Sequence, residues 1–153
     1  MAEEHRRRAI LGILAAGVAV TERAAAAETK KPKPNDGVLT VSEYLHRAAL
    51  LLDETRRAHD WIAQHPWDLG LAAMAFDLAE LRSTLAARIS APAQAKQAHM
   101  HLMLVLENTA AAFDARVRGD DKKAAQRLAA ARSETRTLEA ALEAAKLKIP
   151  AMK

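Results

Sequence analysis

The chain has no cysteine, and that absence alone removes a large share of the available chemistry. Disulfides, thiolate catalysis, c-type haem attachment, cysteine-ligated zinc and iron–sulfur clusters all need a sulfur that is not there. So does a lipoprotein anchor, because no cysteine follows the apolar run near the N-terminus to take the lipid. Aromatic residues make up 3% of the 153 positions and glycine only five. Strand formers such as valine, isoleucine and tyrosine are too few to build a sheet, and no glycine loop is spaced to cradle a phosphate. Charge of one sign is not concentrated either. Lys and Arg number 23 against 19 Asp and Glu, for a net +4. Residues 40–119 hold eight basic and nine acidic side chains, so no basic face is laid out for a nucleic acid.

What the chain does have is alanine, at 37 positions. With leucine, arginine, lysine, glutamine and glutamate it supplies the strongest helix formers. The length suits one domain, and the class is all-α.

The N-terminus reads as an export signal. Arg6, Arg7 and Arg8 precede an apolar run over residues 9–20. Twelve apolar residues suit the central region of a signal peptide and fall short of the roughly 20 that span a bilayer. The alanines at 24–27 offer a small-residue cleavage site, placed between Ala27 and Glu28. Arg7-Arg8-Ala9-Ile10-Leu11 also fits a loose twin-arginine pattern, which leaves the export route open. Glu22 and Arg23 fit the alternative of a retained N-terminus. The expected organisation is a signal peptide over 1–27, an extended basic linker over 28–39 and a helical bundle over 40–153. The expected location is periplasmic or secreted, in a bacterium. Lys30, Lys31 and Lys33 in the proline-containing linker offer weak contact to an anionic surface.

Four helices follow, each with its own punctuation. Thr40-Val41-Ser42-Glu43 is a capping box, with Leu39 and Tyr44 spaced as a hydrophobic staple. The first helix is expected over about 41–64, stopping before Pro66. Asp68 caps a second that runs to about Ile89. Ser90 and Pro92 open a third that ends at Gly119, and Asp120 or Asp121 caps a fourth that runs to about Lys148. Short loops imply antiparallel neighbours, hence an up-down-up-down four-helix bundle. Apolar stripes spaced by three and four support it. Val41, Leu45, Ala48, Leu52, Thr55, His59 and Ile62 form the first; Leu71, Met74, Leu78, Leu81 and Leu85 the second. His99, Leu102, Leu106, Phe113 and Val117 form the third; Leu128, Ala131, Thr135, Leu138, Leu142, Ala145 and Ile149 the fourth.

Candidate chemistry is sparse. Glu43-Tyr44-Leu45-His46 matches the E-x-x-H motif of di-metal helical bundles, but it occurs once and falls on the outer face of its stripe. His59 and His99 lie on inward stripes some 16 Å apart along the bundle, too far to share a metal. His99 and His101 point about 200° apart and cannot chelate together. Met74 and Met103 are the candidates for a haem held by one histidine and one methionine, with no spacing that singles either out. No serine sits on a strained elbow. No catalytic residue, metal or cofactor is therefore assigned.

The densest unusual chemistry lies around the first turn, where residues 59–68 hold both tryptophans, two histidines and two carboxylates. Trp61, His65, Trp67 and His59 are the candidate partner- or ligand-binding residues. As packing, Trp61 and Trp67 are expected to close the open end of an alanine-rich core. The functional expectation is an exported, non-enzymatic binding or structural module. It would serve an unidentified protein partner, at the tryptophans or along a face where Leu50 or Leu104 is exposed. Self-association is compatible with this. The alternative is a small-ligand, metal or haem binder using the histidines and tryptophans of the first turn.

Overall fold

Local side chains set where the helices begin. A computed structural model describes residues 39–151; the export signal, its cleavage site and most of the linker lie outside them. Helix α1 runs Val41–Gln64. The Thr40 hydroxyl oxygen accepts from the Glu43 amide at 3.2 Å, and Glu43 Oε2 accepts from the Thr40 amide at 2.9 Å. Leu39 packs against the cluster that contains Tyr44, which completes the staple. Helix α2 runs Leu69–Ala87 behind Asp68, whose Oδ1 accepts from the Leu71 amide at 2.8 Å. A 3₁₀ turn over Ala93–Ala95 leads into α3, Lys96–Val117. Helix α4 runs Asp121–Ala144, with Asp120 accepting from the Lys123 amide at 2.9 Å. The described residues are helices and their connections, with no strand.

Two helix ends use left-handed backbone. Gly119 has φ +76°, and the Asp120 amide returns to the Ala115 carbonyl at 2.8 Å. This is the expected glycine stop. The end of α4 differs from expectation. The helix stops at Ala144 instead of near Lys148, because Lys146 takes φ +55° and the Leu147 amide donates to the Leu142 carbonyl at 2.8 Å. A lysine pays about 1–2 kcal/mol for that conformation. The return is burial: Leu147 and Ile149 fold back against the cluster that also holds Leu39, Leu45 and Leu52.

Two apolar clusters fill the interior. All four helices feed the first, with Tyr44, Ala48 and Leu51 from α1, Ala86 from α2, Leu102 and Leu106 from α3, and Leu138 and Leu142 from α4. The second draws Ile62 from α1, Ala72, Ala75 and Ala79 from α2, and Ala110 and Phe113 from α3. Helix α3 is the central element, packed most extensively on α4 and next on α2. Helix α1 makes far fewer close approaches.

The stripe assigned to α2 is the principal correction. Met74, Leu78, Leu81 and Leu85 are 64, 47, 54 and 46% exposed, while Ala72, Ala75, Ala79 and Ala86 are buried. Alanine wins the inner face because it lets α2 lie close to α3. Four leucine-sized side chains there would hold the backbones apart. The other stripes fare better: Ala48, Thr55, Ile62, Leu102, Leu106, Phe113, Ala131, Leu138 and Leu142 are all buried. Val117, at the end of the third, is 38% exposed.

The two left-handed residues give opposite predictions. Gly119→Ala should lower stability by about 1 kcal/mol, because an L side chain is strained there. Lys146→Gly should raise it by about 0.5–1 kcal/mol, the relieved strain less the entropy of the unfolded glycine. Urea denaturation of the two variants beside the parent chain measures both.

Candidate functional site

The tryptophans do not close the core. Trp61 is 62% exposed and Trp67 77%, whereas Ile62 and Phe113 fill the interior at this level. The reason is register: Ile62 falls on the buried face of α1, which turns its neighbour Trp61 outward. The Pro66-Trp67 turn is then held from outside. Arg116 Nη2, near the end of α3, donates to the Pro66 carbonyl. The His65 amide caps α1 by donating to the Trp61 carbonyl at 3.0 Å. Its ring meets the Trp67 ring edge to face at 6.4 Å between centroids. So the turn brings His65 and Trp67 together on the surface, with Trp61 exposed one helical turn earlier.

His59 belongs elsewhere. Its Nε2 lies 3.2 Å from the Thr109 hydroxyl on α3, and its ring stands edge to face on Phe113 at 5.6 Å. Thr109 spends its own proton on the Val105 carbonyl at 2.8 Å. The hydroxyl oxygen is therefore the acceptor, and Nε2 of His59 carries the hydrogen. Burial first, then the nearby Arg132 guanidinium, pushes the pKa of His59 down, with Asp60 opposing. The neutral imidazole has Nδ1 left as a lone-pair acceptor.

His59 lines a groove of about 980 Å³ between α1 and α4. Its apolar lining includes Ala49, Leu52, Val105, Leu138 and Leu142. Thr55 and Thr135 also line it, each returning its hydroxyl to its own helix, to the Leu51 and Ala131 carbonyls at 2.7 and 2.9 Å. Arg56, Asp60, Arg132, Arg136, Glu139 and Glu143 stand exposed around it. The returning tail, Leu147–Ala151, forms one end. The groove falls in the 300–1,000 Å³ range of small-molecule sites. Reasoning from the sequence missed it, although a signal was present: the α1 and α4 stripes carry Thr55, His59 and Thr135 where a sealed interface would carry aliphatic residues.

The remaining histidines are spread out. His101 Nδ1 donates to Glu134 on α4 at 2.8 Å, and His46 Nδ1 donates to the Ser42 carbonyl at 2.8 Å. Glu43 and His46 are both exposed, and Glu43 is engaged at the cap of α1. His99 packs edge to face on the buried Tyr44 at 5.7 Å. Both His99 Nδ1 and the Tyr44 hydroxyl are buried with no hydrogen-bond partner among the described residues. Met74, one of the two methionines considered for haem, points to solvent. Among the described residues no three His, Asp or Glu side chains converge as a metal site.

Compared with protein-family models, characterised proteins and solved structures, the chain matches none. Its class is accordingly defined by geometry alone: the described residues are all-helical, with an exposed tryptophan turn and a groove between α1 and α4.

Titration supplies a test of the buried groups. His59 and His99 have pKa values lowered from the ordinary 6.5, burial being the first cause for each. The unfolded chain then takes up protons first, so stability is full above pH 6.5 and is lost as pH falls through the lowered folded values. Tyr44 is pushed up to about 12 by burial, so stability is also lost as pH rises from 10 through about 12. Urea midpoints across this range should show both flanks. His59→Gln and His99→Gln should flatten the acid flank alone; an unchanged acid flank in both variants would contradict the assignment.

Proposed function

We propose that this chain is an exported, non-enzymatic protein-interaction module that engages its partner through the tryptophan turn. The observation that carries the reading is the exposure of Trp61, in the last turn of α1, and of Trp67, on the connection to α2, at 62 and 77%. Exposed tryptophan is costly in water, and tryptophan is enriched among residues that dominate protein interfaces. The Arg116 contact to Pro66 pre-orders the turn, which lowers the entropy lost on binding.

The finer architecture in this proposal is an antiparallel up-down-up-down bundle. Support comes from the pairings along α3. Tyr44 meets His99 and His59 meets Phe113, so α1 and α3 run the same way. His101 meets Glu134 and Asn108 meets Arg127, so α4 runs against α3. Ahead of the bundle, residues 1–27 act as the export signal and 28–39 as a basic linker, with Lys30, Lys31 and Lys33 giving screened contact to anionic surfaces. The mature chain then begins at Glu28 in the periplasm or outside the cell.

A second reading rests on its own observation, the groove at His59, whose imidazole has no partner at Nδ1 among the described residues and whose apolar lining suits a small ligand carrying a hydrogen-bond donor. The two readings part under mutation. With a partner recovered by cross-linking in the native cell, Trp61→Ala and Trp67→Ala should each weaken its binding roughly 30-fold, about 2 kcal/mol. Thermal stability should hardly move, since both rings are mostly exposed. Retention of full affinity in both variants removes the turn from the reading. A small molecule released from native-source protein, and lost in His59→Leu, would favour the groove instead. The same preparation tests export: intact mass should correspond to a chain starting at Glu28, and a full-length mass refutes cleavage.

A further inference from the structure

The groove between α1 and α4 is sorted along its length. Its middle is apolar, with Leu52 from α1 and Leu138 and Leu142 from α4, and the returning tail continues that surface at one end through Leu147 and Ile149. His59 and Asp60 are the last lining residues of α1, and Ala131 and Arg132 the first of α4. Arg132 stands close enough to His59 to depress its pKa, so these two meet at the end remote from the tail.

Charge at that end is not balanced. Arg56, Arg132 and Arg136 line it, are exposed, and form no ion pair among the described residues. Of the two carboxylates beside them, Asp53 is held by Arg57 at 2.8 Å, which leaves Asp60 against three guanidinium groups. Toward the tail the charges cancel, Glu139 and Glu143 standing with Lys146 and Lys148. Arg132 and Arg136 are also one turn apart on α4, where like charges repel, and a bound anion relieves that repulsion. A hydrogen-bond acceptor completes this end. His59 Nε2 is committed to Thr109, and Nδ1 has no partner among the described residues. Nδ1 is not one of the buried atoms left without a partner, so it reaches solvent where the ring lines the groove.

We infer that the groove takes an aliphatic hydroxy acid, its carboxylate held by Arg132 with Arg56 and Arg136 nearby, its hydroxyl donating to His59 Nδ1, and its chain lying along Leu52, Leu138 and Leu142. Arginine suits the head group because its planar fork matches both carboxylate oxygens. Chain length follows from the helix. Arg132 and Leu142 are ten residues apart on α4, about 15 Å of rise. An extended chain with carbon–carbon bonds of about 1.5 Å advances about 1.25 Å per carbon, so about twelve carbons reach the tail. This inference rests on the groove reading above, to which it gives a ligand class, and is independent of the tryptophan turn.

The test is isothermal titration calorimetry of the full chain with 3-hydroxydodecanoate, below the concentration at which it forms micelles. The acid should bind at a single site. Its methyl ester, which removes the charge, should bind at least about tenfold more weakly, and dodecanoate, which lacks the hydroxyl, about fivefold. The short acid 3-hydroxybutyrate, which lacks the chain, should give no binding heat. Arg132→Gln should weaken the acid at least about tenfold and leave the ester unmoved. His59→Leu should erase the difference between 3-hydroxydodecanoate and dodecanoate; should that variant fail to fold, the ligand series on the parent chain decides. Arg118→Gln, which removes the same charge outside the groove, and Trp67→Ala should change nothing. Equal affinity for acid and ester, for the hydroxy acid and dodecanoate, or for parent and Arg132→Gln overturns the inference. An uncharged or cationic small molecule released from native-source protein, and lost in His59→Leu, also overturns it and leaves the groove reading standing. Absence of any released molecule together with no binding of the acid removes both.

Discussion

Close packing through alanine governs this fold. Among the described residues, thirteen of the 22 buried apolar residues are alanine, and a methyl group leaves no room for a helix to stand off. Helices α2 and α4 therefore settle closely on α3. Helix α1 meets the same core with Tyr44, Leu51 and Ile62 beside Ala48 and Ala49, and it makes few close backbone approaches. The groove lies where α1 and α4 do not close on one another. The exposed leucines of α2 follow from the alanine packing, since a helix that gives its inner face to alanine must carry its larger residues elsewhere.

The consequence is a protein that buries comparatively little per residue and compensates at its ends. The core gains from the tail, where Leu147 and Ile149 return to the cluster near the start of α1. It gains from side-chain bridges along α3, His101 to Glu134 and Arg127 to Asn108. Surface pairs such as Arg57 with Asp53 and Arg118 with Asp114 add little, because water and salt screen them. The orphaned Tyr44 hydroxyl and His99 nitrogen are a cost carried inside the core. They sit where α1 meets α3, at the less closely packed side of the molecule.

Helix boundaries were legible because their causes are local. Thr40 with Glu43, Asp68, Asp120 and Gly119 each act within a turn of chain, and each marks a real start or stop. The face assignment of α2 was not legible, because Ala72, Ala75 and Ala79 and Met74, Leu78 and Leu81 are both apolar series at helical spacing. Periodicity reports that stripes exist; only tertiary packing chooses between them. The end of α4 escaped for a related reason. Lys146 carries no turn signature, and its left-handed conformation is imposed by the burial of the residues that follow. Of the four candidate residues, Trp61, His65 and Trp67 share a surface, while His59 turned to α3 because Thr109 and Phe113 wait there. The groove could not be read from spacing, since it is made by what α1 and α4 fail to do.

The looser seating of α1 also has a kinetic meaning. Local opening is easiest where few contacts are broken, and α1 makes fewer close backbone approaches than α2 or α4, which both pack on α3. Amide exchange should thus be slowest in α3 and faster in α1, which forms one wall of the groove. A cavity bounded by the most readily released helix is one that can admit a guest without unfolding the host.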